Sequence, residues 1–135
     1  MMPHGEVSVR APDGAIPRYV AAFSGIWVGK WKDASGRSLD HMLVVENIDR
    51  TGGSYRIVAV YSTGTEPRWG INSPRTSRQG GLIDEDGVLR LEKFDNGASV
   101  TYKLSPYAGW LSGEYRAASG HSTQGTFVRA SIFVH

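Results

Sequence analysis

Residues 23–31, Phe-Ser-Gly-Ile-Trp-Val-Gly-Lys-Trp, hold two overlapping Gly-x-Trp units, Gly25/Trp27 and Gly29/Trp31. Side chains on a strand alternate with period two, so tryptophans four residues apart point to one face. A glycine beside a bulky ring suits a strand that must bend or let another backbone approach. The first strand of a small closed barrel needs both properties.

The same short period recurs along the chain. Candidate strands fall near 25–32, 39–48, 54–62, 75–83, 88–94, 98–104, 110–116 and 123–131. Turn signals separate them: Ser35-Gly36, Thr51-Gly52-Gly53, Asp86-Gly87, Asn96-Gly97, Ala108-Gly109 and Ser119-Gly120. Asp-Gly and Asn-Gly between alternating segments are the strongest short hairpin signals. Only Ile16 to Phe23, entering after Pro17, reads as a short helical turn. The expected fold is all-β: an eight-stranded antiparallel up-and-down (meander) β-barrel with a short N-terminal helical turn. Closure removes exposed edges, and every connection but one is short, whereas a Greek-key sandwich needs longer crossings. Residues 1–15 are expected to be a flexible N-terminal segment and 16–135 a single barrel domain.

Composition narrows the function classes. Fifteen basic and 13 acidic side chains give a net charge of +2, with no Lys/Arg run, so no nucleic-acid partner is expected. The chain has no cysteine, which rules out disulfides, zinc–thiolate sites and a thiol nucleophile. No stretch has the length a membrane helix needs, and residues 1–17 lack the apolar core of a signal peptide. The expected location is cytoplasmic.

A meander sorts the connections by barrel end. Those at 33–38, 63–74, 95–97 and 117–122 lie opposite the start of the first strand; those at 49–53, 84–87 and 105–109 share that start. The starting end has tight turns and the N-terminal plug. The other end has the longest connection, Thr63 to Pro74, and is the expected mouth. Trp31 reaches the mouth half, where His41 begins a strand, Tyr61 and Tyr115 end strands and Arg75 begins one. Tyr102 lies deeper, and Trp69 rides on the long loop. These seven residues are the candidate ligand-binding set, backed by wall residues Leu43, Val100, Leu104 and Leu111. An apolar cavity with sparse convergent polar groups is the usual form of a small-molecule site. Trp27 and Arg129 meet at the closed end as a structural pair.

With Gly25-x-Trp27 on the first strand and Arg129 on the last, the chain resembles the calycin superfamily, the lipocalin-like and avidin-like barrels. It is also similar to small bacterial lipocalin-like proteins of unassigned function. These share the opening Gly-x-Trp-x-Gly-x-Trp followed by His-x-Leu-Val-Val-Glu, here Gly25 to Trp31 and His41 to Glu46. The resemblance implies a basic side chain, Arg129, packed over Trp27, and a small apolar ligand in the barrel.

Catalytic signatures are missing: no nucleophile elbow, phosphate loop or His-Glu-x-x-His appears. Asp40 and His41 face opposite sides of a strand, and His4, His41, His121 and His135 are too dispersed for a metal site. The resemblance to haem-binding barrels is partial, since Trp31 replaces a glycine and His121 is a weak axial ligand. No cofactor or metal is expected. The leading expectation is binding of a small, largely apolar molecule. Two alternatives stay open. One is a small barrel enzyme, an isomerase or cyclase in which His41 and a tyrosine do acid–base chemistry. The other is a filled barrel that self-associates as a homodimer through an outer face carrying Val58 and Val60.

Overall fold

The computed structural model describes residues 8–65, 67, 73–105 and 109–130. A short helix, α1 (Arg18–Ala21), precedes β1 (Gly25–Lys32), β2 (Ser38–Thr51), β3 (Ser54–Thr63) and β4 (Arg75–Ile83). Then follow β5 (Val88–Leu91), β6 (Ser99–Leu104), β7 (Trp110–Arg116) and β8 (Ser122–Arg129). Each strand pairs antiparallel with the next and β8 pairs with β1, which closes an eight-stranded meander barrel. The Asp86-Gly87 and Asn96-Gly97 turns place glycine at φ 77° and 82°, a conformation that side-chain-bearing residues rarely adopt.

Two strands depart from the expected spans by three residues at one end. β5 stops at Leu91, not at 94, because the ladder breaks there. Glu92 N–H still reaches Gly80 O (2.9 Å), but Phe94 N–H turns to Ala98 O (3.0 Å). β2 runs on to Thr51 through a bulge, the β2–β3 register shifting between Val45 and Asn47. Leu39, His41, Leu43 and Val45 therefore point inward before the bulge and Ile48 after it.

Inside, the closed half is filled with side chains. α1 and its flanks bring Ile16, Val20 and Phe23 under Trp27, among the inward residues of every strand but β4's mouth half. Trp27 Nε1 donates to Phe23 O (2.9 Å), and the Arg129 guanidinium lies 4.2 Å from the Trp27 ring centre. Arg129 also donates to Ser24 O (2.9 Å) and to Ala22 O. Leu43, Val100 and Leu111 belong to this filled part, fully buried. Higher up, three inward glycines make room for two rings. A β-carbon at Gly113 would lie 2.8 Å from Phe127 and 2.9 Å from Trp31, and one at Gly125 2.9 Å from Trp31. One at Gly29 would strike the Thr126 carbonyl oxygen. Here the second glycine of the Gly-x-Trp pair finds its cause: β8 crosses too close for any side chain.

The outer face differs from the expectation at one point. Val58 is exposed, but Val60 is buried with Met42 and Val44 beneath Val9. Glu46, displaced from the ladder by the bulge, is what ties the covering segment down. Its carbonyl accepts Arg10 N–H (2.8 Å), its carboxylate accepts Ser8 N–H (3.0 Å), and Arg78 pairs with it at 2.8 Å.

Candidate functional site

A cavity of about 1040 Å³ occupies the mouth half. The connections expected at that end supply its upper wall: Asp33 and Arg37 after β1, Pro74 before β4, Lys93 to Asn96 after β5, and Ala117 and His121 after β7. Inward strand residues supply the lower wall: Trp31, Leu39, Tyr61, Thr63, Ser77, Gln79, Tyr115 and Thr123. Phe94 packs edge-on against Tyr61, ring centres 5.0 Å apart. The break after Leu91 turns it inward.

Of the residues expected to bind ligand, Trp31, Tyr61, Arg75 and Tyr115 line this cavity. His41 and Tyr102 do not: they are packed beneath it, 3% and 0% exposed. Trp69 lies outside the described residues. Alternation assigns His41 and Tyr102 to the inner face, and both are there, but it says nothing of depth. The strand residues that sequence reasoning missed share faces with those it named. Thr63 follows Tyr61 by two, Ser77 and Gln79 follow Arg75 by two and four, and Thr123 is the β8 partner of Tyr115.

Beneath the cavity the rings form one cluster. Trp31 stands 5.1 Å from His41 and 5.0 Å from Phe127, and His41 stands 4.4 Å from Tyr61. His41 Nδ1 is 2.8 Å from Ser62 O and Nε2 is 2.7 Å from Tyr102 Oη. A carbonyl only accepts, so Nδ1 carries the proton and Nε2 accepts from the tyrosine hydroxyl. Burial pushes the His41 pKa down to about 3, against a smaller upward pull from the Ser62 bond. The imidazole is neutral and both nitrogens are engaged. Burial also raises the Tyr102 hydroxyl well above the usual range, as it does Tyr61. Both remain protonated donors.

The cavity floor has a surplus of donors. Trp31, 2% exposed, holds its Nε1–H buried with no hydrogen-bond partner among the described residues. The Tyr61 hydroxyl is close enough for that N–H to lower its pKa slightly against the burial, yet the geometry falls short of a hydrogen bond. Tyr115 Oη accepts a long bond from Asn96 (3.4 Å). At the rim Arg37 is held by Asp33 at 2.8 Å, and three cations, Arg37, Arg75 and Lys93, face two carboxylates, Asp33 and Asp95. Hydrogen bonds from Ser35 and Arg37 hold Asp33 well below the usual carboxylate range. Among the described residues no group of three His, Asp or Glu is placed to hold a metal ion, and no helix is long and apolar enough to cross a membrane.

No family model matches this sequence, and no curated protein matches it. Solved structures similar to it include a redesigned β-barrel, mFAP0, bound to DFHBI. That barrel is 14% identical with a TM-score of 0.53, over 80% of this chain and 99% of the other. Another is a de novo designed fluorescence-activating β-barrel, 14% identical with a TM-score of 0.55, over 85% of this chain and 100% of the other. At this identity the likeness is one of fold.

Proposed function

We propose that this chain binds a small, largely apolar molecule in the mouth half of its barrel. The observation that carries the reading is the cavity itself: about 1040 Å³, walled by Trp31, Leu39, Tyr61, Phe94 and Tyr115, above a core that is otherwise filled. That volume lies at the upper end of the range for small-molecule sites, and its charged groups, Asp33, Arg37, Arg75, Lys93 and Asp95, lie at the rim above the aromatic wall. Apolar contact there contributes about 25 cal/mol per Å² removed from water. A similar barrel, mFAP0, was solved with DFHBI bound, which supports the reading by analogy of fold. The guanidinium of Arg129 over Trp27 favours kinship with the lipocalin-like barrels.

The acid–base alternative rests on His41 and a tyrosine. Both His41 nitrogens are already bonded, and neither His41 nor Tyr102 lines the cavity, so no observation favours a reaction over binding.

Tryptophan fluorescence titrated with fatty acids and flavonoids tests the proposal. A saturable response is expected from at least one class, and it should vanish in Ser77→Trp, which fills the cavity from β4. A response that survives unchanged in Ser77→Trp would place binding elsewhere and refute the reading.

A further inference from the structure

The donor surplus on the cavity floor defines the ligand more closely than the apolar walls do. Trp31 is oriented by its contacts. Its Cε3, Cζ3 and Cη2 atoms lie over Gly125 and Gly113, so the benzo edge faces β7 and β8. Cζ3 sits across the six-membered ring from the carbon that bears Nε1. The N–H edge therefore points the other way, toward Tyr61 and the cavity that both residues line. A buried N–H without a partner is rare in a folded protein, because leaving it dry forfeits its hydrogen bonds to water. The donors around it cannot settle it among themselves. If the Tyr61 hydroxyl accepted the indole proton, its own proton would still need an acceptor. Gln79 donates its amide nitrogen to Ser77 Oγ (3.0 Å), and its carbonyl oxygen makes no hydrogen bond to the indole nitrogen. No described carbonyl or carboxylate reaches the indole nitrogen.

We infer that the ligand enters with a proton-free oxygen acceptor leading, a carbonyl or a carboxylate, and that this oxygen takes the Trp31 N–H with the Tyr61 hydroxyl beside it. This rests on the binding reading above and names the class of molecule that the same cavity selects. An apolar body lies against Leu39, Phe94 and Tyr115, and the oxygen at the floor meets a buried donor that has no other partner among the described residues. A hydroxyl compound is disfavoured, since its own proton would join a group of protons already short of acceptors. Selection of this kind is strong: a site built to hydrogen-bond one group discriminates sharply against the analogue that lacks it.

The test uses the intact ¹⁵N-labelled chain and three naphthalenes of similar size: 2-acetylnaphthalene, 2-naphthoic acid and 2-ethylnaphthalene. The Trp31 indole signal is identified by its loss in Trp31→Phe or, should that variant not fold, by its through-space contacts to Tyr61. The ketone, the acid or both are expected to bind about tenfold or more tightly than the hydrocarbon, and to move the Trp31 N–H downfield. The Trp27 N–H, already bonded to Phe23 O, should stay in place. A preference for the acid that persists in Arg75→Gln identifies a carboxylate at the floor, and one that disappears there seats the carboxylate at the rim and overturns the inference; equal or better binding of the ketone identifies a neutral carbonyl. Equal affinity for all three, with the Trp31 signal unmoved, overturns the inference and leaves the binding reading intact. Saturation by none of the three overturns both.

Discussion

The bonded state of His41 makes stability depend on pH in a calculable way. Its ordinary value is 6.5, and burial takes it to about 3 in the folded chain. Below pH 6.5 the unfolded chain therefore binds a proton that the folded chain refuses, and stability falls as pH falls. A lowered histidine pKa costs nothing above about pH 7 and up to about 1.4 kcal/mol per pH unit well below 6.5. Between pH 7 and pH 5 the loss is about 2 kcal/mol. The carboxyls of Glu46, Asp33 and Asp84 are shifted downward too, but from a lower starting point. Their contribution fades only below about pH 4.5, so the window from 7 to 5 belongs to the histidine. The perturbation is the pair His41→Leu with Tyr102→Phe, which removes the imidazole and the hydroxyl that would otherwise be left without a partner. Urea unfolding at pH 7, 6 and 5 should show the wild-type chain losing about 2 kcal/mol and the double variant nearly flat, whatever its absolute stability. Equal losses in the two chains would refute the buried neutral imidazole. So would a wild-type chain that loses nothing.

Two further outcomes follow from the packing. Arg129→Met should destabilise by about 2 kcal/mol in urea unfolding, since it removes the cation over Trp27 and two bonds to backbone carbonyls. Lysine at that position should restore only part, lacking the planar fork. Gly29→Ala should cost about 3 kcal/mol or fail to fold, because its β-carbon meets the Thr126 carbonyl oxygen, a backbone atom that cannot swing aside. Gly53→Ala, in open space, is the matched control and should leave the melting temperature almost unchanged.

The barrel was legible because its causes are local. Asp86-Gly87 and Asn96-Gly97 each specify a tight turn by themselves, and alternation in Val100-Thr101-Tyr102-Lys103-Leu104 specifies which side chains face in. The bulge at Glu46 could have reversed that phase for the site. It falls beyond Val45, toward the closed end, so His41 and Leu43 keep their faces. Depth was not legible. Tyr102 and Tyr115 both point inward from neighbouring strands, yet one is sealed under Trp31 and the other lines the cavity. Their difference depends on strand stagger and on glycines at 113 and 125, which let Trp31 and Phe127 lie across the barrel as a partition. Phe94 was invisible for a related reason. Alternation from Leu89 and Leu91 puts it outside, and only the break after Leu91 brings it in.

That partition separates the polar groups that are already paired from one that is not. Below it, His41 and Tyr102 satisfy each other and present nothing to a ligand. At its surface, Trp31 has turned its benzo edge to the glycines and keeps its N–H unspent. Tyr61 and Tyr115 bring their hydroxyls to the same cavity. The two tryptophans of the overlapping motif thus do opposite things with the same atom. Trp27 uses its N–H to fasten the closed end to Phe23, while that of Trp31 has no partner among the described residues.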